Sequence, residues 1–522
     1  MELDRLACDR ARRSRDARFD GRFFIAVTTT GIYCRPICPS PSAKDEHVRY
    51  FPTAAAAEAA GFRPCLRCRP EASPGTPAWL GTSGLVSRAL RLIGEGALDG
   101  GGVEPLAGRL GVTARHLRRL FLQHLGATPL QVALTRRVHF AKKLLDETSL
   151  GLPQVAFASG FGSLRRFNGQ IRRTYARTPT QLRRLARQRG GAEPGSYRFR
   201  LAYHPPFDWD ALLAFLAARA TPGVEAVEGS HYRRTIAVDG AHGAIDVAPL
   251  DSGAALGLEV RFPDPRALLF IVERVRRLFD LGADPGVIGE HLGADPRLRS
   301  ALARHPGIRT PGAWDAFELA VRAILGQQVS VRAATTIAGR IASAFGTPVG
   351  GGPALDRLFP APAQLRGAAL ERVGVMPARA ETIRVLAGRM ADGAIALGSG
   401  IDAAATLSAL RALPGIGAWT AQYIAMRALG EPDAFPSGDL VLRRMAGEPT
   451  ARGLDRRSEA WRPWRAYAVM LLWQEATEDG ISRRAGGSPR PSPAGRTRHA
   501  PPEASGRHDG SGRPADVLRG SD

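Results

Sequence analysis

The chain has 522 residues, 44% of them hydrophobic, and 72 basic against 49 acidic side chains, for a formal charge of +23. That length exceeds what one hydrophobic core serves and predicts three or four domains, while the charge excess points to a polyanion, double-stranded DNA first, as partner. No stretch approaches the roughly 20 consecutive apolar residues of a membrane span, and MELDRLACDRARRSRDARFDG has no apolar secretory core, so the expectation is a cytoplasmic protein with no membrane partner.

In chain order the first feature is two pairs of cysteines, Cys34 and Cys38 in TTGIYCRPIC, then Cys65 and Cys68 in GFRPCLRC. Such spacing predicts a four-thiolate zinc site, and in a reducing compartment clustered thiols favour metal or redox chemistry over disulfides. Cys8, the fifth cysteine, is expected to be a spectator. Spacing leaves two readings open, a closed staple or a site in which one thiolate reacts. Arg35, Arg63, Arg67 and Arg69 give the quartet a basic setting. DGRFFIAVTTTGIYCRPICPS with FRPCLRC, within about residues 19–71, resembles the amino-terminal module of the Ada family of methylation-responsive regulators. The resemblance implies that Cys34 accepts a methyl group from a DNA phosphotriester, with Cys38, Cys65 and Cys68 as the remaining zinc ligands.

Residues 70–84 are expected to be a Pro/Gly/Ser linker, and 186–196 a second. Between them helical periodicity occurs twice. Leu106, Ala107, Leu110, Leu117, Leu120 and Phe121 line one face of the first copy, with Gly111 at the break and Thr113 as cap. Val155, Ala156, Phe161, Leu164, Phe167 and Ile171 repeat the plan around Gly160, Gly162 and Ser163. Each copy predicts a helix-turn-helix whose second helix, Thr113–His124 or Ser163–Tyr175, enters a major groove. Arg115, His116, Arg119, Arg165, Arg166 and Asn168 are the expected base readers, with a solvated face or phosphate anchoring as the alternative for the arginines. Residues 88–185, with GFGSLRRFN and RTPTQLR, resemble the AraC-type DNA-binding domain. An activator of that kind implies RNA polymerase as a further partner.

Residues 197–305 alternate as strands do in YRFRLAYHPPFDW, HYRRTIAV, GAIDVAPL and GLEVRF, with helices expected at 209–219 and 266–279. From 313 to about 477 the pattern is helical. There LPGIGAWTAQYIAMRAL places Gly415 and Gly417 in a turn before a helix, which is either a plain interhelical loop or a backbone grip on a DNA phosphate. Asp439 follows in FPSGDLVLRR. With AVRAILGQQVSVRAA and WRPWRAYAVMLLW, the pattern over about 197–475 resembles the helix-hairpin-helix glycosylases of the AlkA type, which act on 3-methyladenine. The resemblance implies Asp439 as the catalytic carboxylate and Trp419 and Tyr423 as base-pocket aromatics. Trp419 stands where lyase relatives carry a lysine, so a monofunctional hydrolase is expected. This half has no cysteine for an iron–sulfur cluster, and the chain has no Pro-Cys-His-Arg motif for O-alkylguanine repair. Gln328 falls at the position of an apolar wedge in such enzymes, so intercalation is expected to be weaker there or to pass to a neighbour.

The expected architecture is multidomain α+β: a zinc module at 1–76, an all-α helix-turn-helix pair at 82–185, an α+β domain at 196–305, an all-α helix-hairpin-helix domain at 306–479 and a disordered basic tail at 480–522. The expected function is a methylation-sensing activator joined to an alkylpurine glycosylase. One rival is a regulator whose glycosylase half only binds DNA, against which LPGIG and Asp439 argue. Another is a repair enzyme with zinc as a staple.

Overall fold

In the computed structural model, which describes residues 4–74, 84–186, 195–251, 253–350, 352, 354–398 and 402–485, the cysteine module is built on four short strands. Helix α1 (Arg5–Ser14) precedes β1 (Phe24–Val27), β2 (Ile32–Cys34), β3 (Val48–Phe51), α2 (Ala54–Ala59) and β4 (Arg63–Pro64), with the strands ordered β3-β1-β2-β4. Gly31, at φ 64°, turns the chain from β1 into β2. Strands β2 and β4 pair in parallel, Tyr33 opposite Pro64, and Cys65 N–H donates to the Tyr33 carbonyl at 3.0 Å. This register carries both cysteine pairs to the same end of the sheet.

Helices α3 (Gly84–Gly94), α4 (Val103–Arg109), α5 (Ala114–Leu125), α6 (Pro129–Glu147), α7 (Leu152–Ala158), α8 (Leu164–Tyr175) and α9 (Pro179–Leu185) follow. The expected breaks hold, since Gly111 and Gly160 have φ of 70° and 80° while Thr113 and Ser163 accept from the N–H groups of His116 and Arg166. The periodic apolar residues are buried, with Leu120 partly so. Leu164 departs from the plan: as the first residue after the Ser163 cap it precedes the buried stripe and is 38% exposed.

A five-stranded antiparallel sheet comes next, ordered β5-β9-β8-β7-β6, from β5 (Ser196–Ala202), β6 (Glu225–Glu228), β7 (His231–Val238), β8 (Ala241–Pro249) and β9 (Ala255–Arg261). Helices α10 (Trp209–Ala217) and α11 (Leu268–Leu278) lie close to the expected spans. Strand β6 was not legible, because EAVE is too short and polar to alternate clearly. The remaining helices are α12 (Pro285–Leu292), α13 (Pro296–Arg304), α14 (Ala316–Leu325), α15 (Val331–Phe345), α16 (Pro362–Leu365), α17 (Pro377–Ala391), α18 (Ala403–Arg411), α19 (Ala418–Ile424), α20 (Leu440–Ala446), α21 (Ala451–Ser458) and α22 (Arg465–Ala485). Ile288, Leu292, Leu298 and Ala301 share a core with Met426, Trp461 and Leu471, so α12 and α13 pack with the helical region although the sequence reading groups them with the sheet. Helix α22 passes the expected tail boundary at 480. The rest of the expected tail and the middles of both expected linkers lie outside the described residues. Among the described residues no helix is long and apolar enough to cross a membrane.

Candidate metal centre and candidate base pocket

The sulfur atoms of Cys34, Cys38, Cys65 and Cys68 all lie within 4.8 Å of one another. Thiols this close cannot all ionise unaided: their mutual hydrogen bond pushes the Cys34 thiol up and the Cys38 thiol down. A divalent cation with a preference for thiolates removes that conflict, so the donor set fits zinc. Cys65 and Cys68 are each 7% exposed, whereas Cys34 and Cys38 are half-buried. Cys68 is further occupied, accepting from the Arg35 backbone N–H at 3.3 Å. Of the four nearby arginines, Arg35 is taken by buried Asp20 (2.8 Å) and Arg69 by Asp146 (2.6 Å), which leaves Arg63 and Arg67 exposed. Cys8 packs against Phe23, Ile25 and Val48, and burial pushes its thiol up to about 11.

Tyr33, the residue before Cys34, donates to Glu58 Oε1 at 2.9 Å, and Glu58 also meets His139 Nε2 (3.0 Å) and accepts from Thr135 Oγ1 (2.8 Å) on α6. Thr53 Oγ1 donates to the Leu125 carbonyl at the end of α5. The metal module is thus seated on the end of α5 and on α6, and β4 lies against α8 of the second helix-turn-helix unit.

The second site is assembled from distant segments. Asp439 caps α20, accepting from Leu442 N–H at 2.9 Å through one oxygen and from the Trp419 indole N–H at 2.8 Å through the other. Trp419 and Tyr423, one turn apart on α19, stack with centroids 5.3 Å apart and planes 7° from parallel. That spacing leaves no room for a third ring between them, so only the outer faces of the pair are free to stack. Trp473 of α22 adds a third ring, 6.1 Å from Tyr423 at 50°. Behind the stack, Arg427 donates to the Tyr423 hydroxyl at 3.0 Å. Burial pushes this phenol up, but Arg427, Arg219 and Arg322 outweigh it and hold the group below the ordinary tyrosine range.

The turn between α18 and α19 contains Gly415 at φ 82°, where a Cβ would sit 2.1 Å from Thr382 Oγ1. Gly417 has nothing within 4 Å of that position, so its outer side is open. Gln327 braces the turn, its Nε2 donating to the Gly415 carbonyl and to Thr420 Oγ1, both at 2.9 Å. Gln328, next to it, is exposed with φ 55°, and the adjacent Val329 is 37% exposed.

Three family models match the chain: the metal binding domain of Ada at 7–71, a helix-turn-helix domain at 106–185 and the AlkA N-terminal domain at 198–315. A Mycobacterium tuberculosis (strain CDC 1551 / Oshkosh) protein described as "Probable bifunctional transcriptional activator/DNA repair enzyme AlkA" is 45% identical over 481 residues, 91% of this chain and 97% of its own length. The chain belongs to this AlkA-type bifunctional family. Escherichia coli (strain K12) supplies a relative of each half. "DNA-3-methyladenine glycosylase 2" is 35% identical over 53% of this chain and 96% of its own, and "Bifunctional transcriptional activator/DNA repair enzyme Ada" is 40% identical over 22% of this chain and 31% of its own.

This AlkA-type chain accordingly has a zinc-binding module, and its four-cysteine cluster supplies the donor set. Its helix-turn-helix region binds DNA. Arg115, Arg119, Arg165, Arg166 and Asn168 are exposed on α5 and α8, while His116 is half-buried and its Nδ1 lies 3.1 Å from Arg119 Nη2. Sequence reasoning did not single out Gln327, Arg427 or Trp473. Trp473 closes an apolar run indistinguishable from core, and Gln327 had a signal only in the GQQVS segment itself.

Proposed function

We propose that the chain senses DNA methylphosphotriesters through Cys34, activates transcription through the helix-turn-helix pair with RNA polymerase as partner, and hydrolyses the N-glycosidic bond of alkylated purines through Asp439. The observation that carries the glycosylase reading is the Asp439 carboxylate held by Leu442 N–H and Trp419 Nε1 beside three aromatic rings. As the glycosidic bond breaks, its electron pair goes to the departing base, and the carboxylate stabilises the positive charge left on the sugar. The cationic base thus leaves neutral, and water adds to the anomeric carbon and loses its surplus proton to solvent. An alkylated purine is cationic, leaves readily, and stacks well on an electron-rich ring such as Trp419 or Tyr423. With Trp419 at the position of a lyase lysine there is no Schiff-base amine, so the enzyme is a monofunctional hydrolase.

In the sensor, a bound zinc keeps the thiolates ionised and nucleophilic near neutral pH. Cys34 Sγ attacks the methyl carbon of the triester. A sulfur–carbon bond forms, the carbon–oxygen bond breaks, and the phosphodiester leaves with the negative charge. Burial and the Arg35 contact restrain Cys68, whereas half-buried Cys34 is open to approach. Loss of one thiolate charge weakens repulsion from DNA phosphates, so methylation tightens DNA binding. Thiols kept reduced suit a cytoplasmic setting. The proposed base readers are Arg115, His116, Arg119, Arg165, Arg166 and Asn168, with Gly415, Gly417 and the exposed Gln328 turn on the glycosylase side of the DNA contact.

Incubation with duplex containing methylated purines should release free base, and Asp439→Asn should abolish the release. Equal release by the variant removes Asp439 from the mechanism. Mass spectrometry after exposure to methylated DNA should show one methyl on Cys34, and methyl groups solely elsewhere would leave the zinc as a staple.

A further inference from the structure

We infer that helix α3 of the regulatory half is a strut for the glycosylase hairpin, with Arg91 and Arg88 as its positioning residues. One face of α3 buries Val86, Ala89, Leu92 and Ile93 in the core of the first helix-turn-helix unit. Arg88 and Arg91, three residues apart and so on one side of the helix, reach the other way. Arg91 Nη1 donates to the Gly430 carbonyl at 2.9 Å and Nη2 to Glu431 Oε1 at 2.8 Å. Gly430, at φ 66°, ends the helical run that begins at Ala418 and carries Trp419, Tyr423 and Arg427. Arg88 Nη1 lies 3.5 Å from Asp402 Oδ2, and Asp402 is the N-cap of α18. A single helix therefore holds the far ends of both helices that flank the LPGIG turn.

The two contacts differ in weight. The Arg91 side chain is 10% exposed, so its charge-assisted bonds are little screened, and a cation at a helix C-terminus meets the negative end of the dipole. The Arg88 pair is more open, with Asp402 57% exposed, and contributes less. The strut is itself fixed: Arg136 of α6 donates to the Ile93 carbonyl at 3.1 Å, and Glu95, just past α3, pairs with Arg277 of α11. A shift in the first DNA-reading unit would thereby be felt at the hairpin.

The inference rests on the glycosylase reading and predicts a particular kinetic signature. A hairpin that grips phosphate contributes ground-state binding, so loosening it raises KM and spares kcat, whereas a smaller folded fraction lowers kcat at constant KM. With full-length protein and methylated-purine duplex, Arg91→Ala should raise KM for base release about tenfold with kcat within about twofold, and Arg91→Lys should fall between. An unchanged KM, or a fall in kcat alone, overturns the strut. Amide hydrogen exchange reads it without catalysis: Arg91→Ala should speed exchange over residues 413–430 and leave the β7 and β8 amides unchanged. Unchanged exchange at 413–430 overturns the strut even where base release is intact. Absence of base release by the unaltered chain would sink the glycosylase reading, with the exchange result still deciding the strut.

Discussion

The metal centre and the proposed base pocket solve opposite problems of assembly. All four thiols come from residues 34–68, and a single parallel strand pairing brings them within 4.8 Å. The proposed pocket draws Trp419 and Tyr423 from α19, Asp439 from the cap of α20, Trp473 from α22 and the bracing Gln327 from the α14–α15 turn. A site built from one short segment depends on its ligands, whereas one built from distant segments depends on the packing that holds them. Damage to the first should stay local.

The largest effect expected is therefore from removing a ligand. Structural zinc contributes about 10–16 kcal/mol in zinc-finger peptides, so Cys38→Ser should abolish methyl transfer to Cys34 and open residues 4–74 to protease. Base release should remain within about twofold, and a parallel loss would break the comparison. Next comes Gly415→Ala, since φ 82° and the nearness of Thr382 Oγ1 leave no place for a methyl group. A strain of about 1–3 kcal/mol should appear as a loss of base-release efficiency. Gly417→Ala meets no protein atom and should be silent in thermal unfolding, so any loss of DNA affinity there locates the phosphate contact.

Trp419→Phe tests the pocket more finely, keeping a ring on Tyr423 while removing the indole N–H from Asp439. A hydrogen bond to a charged group is worth about 1.5–3 kcal/mol, so kcat should fall by about tenfold or more with KM little changed. The smallest effect should be on pH dependence. Buried Glu225 accepts from Arg322 at 2.8 Å, and Arg234 and Arg322 also bind Glu318, which ties the sheet to α14. Burial pushes the Glu225 carboxyl up, but Arg322 and Arg234 outweigh it and hold the group below the ordinary glutamate range. Its folded pKa lies below the unfolded value of about 4.3. The stabilisation is present above that value and is lost as pH falls through the folded pKa. Thermal midpoints followed from pH 7 to pH 3 should therefore drop in the original chain, and Glu225→Gln should flatten the acid part of that drop.

The zinc ligands, both helix-turn-helix caps and the LPGIG turn were legible in the sequence because each depends on residues a few positions apart. Leu164 misled for a related reason: its periodicity is right, but as the first residue after the cap it precedes the buried stripe. Asp439 is singled out by the sequence only through resemblance, since nothing local separates it from other capping aspartates. Its contact with Trp419, 20 residues away, exists only in the folded chain.

By itself the sequence determined the order of modules, the thiolate donor set and the aromatic and acidic residues available to the second site. Tertiary structure alone decided that Trp419 binds Asp439 and stacks on Tyr423, that Trp473 joins them, that α12 and α13 pack with the helical core, and that Arg91 spans from the regulatory half to Gly430. The reason is one of range. Turns, caps and metal-ligand spacing are fixed by neighbouring backbone dihedrals, whereas pockets and struts form between segments whose meeting depends on burying the whole core.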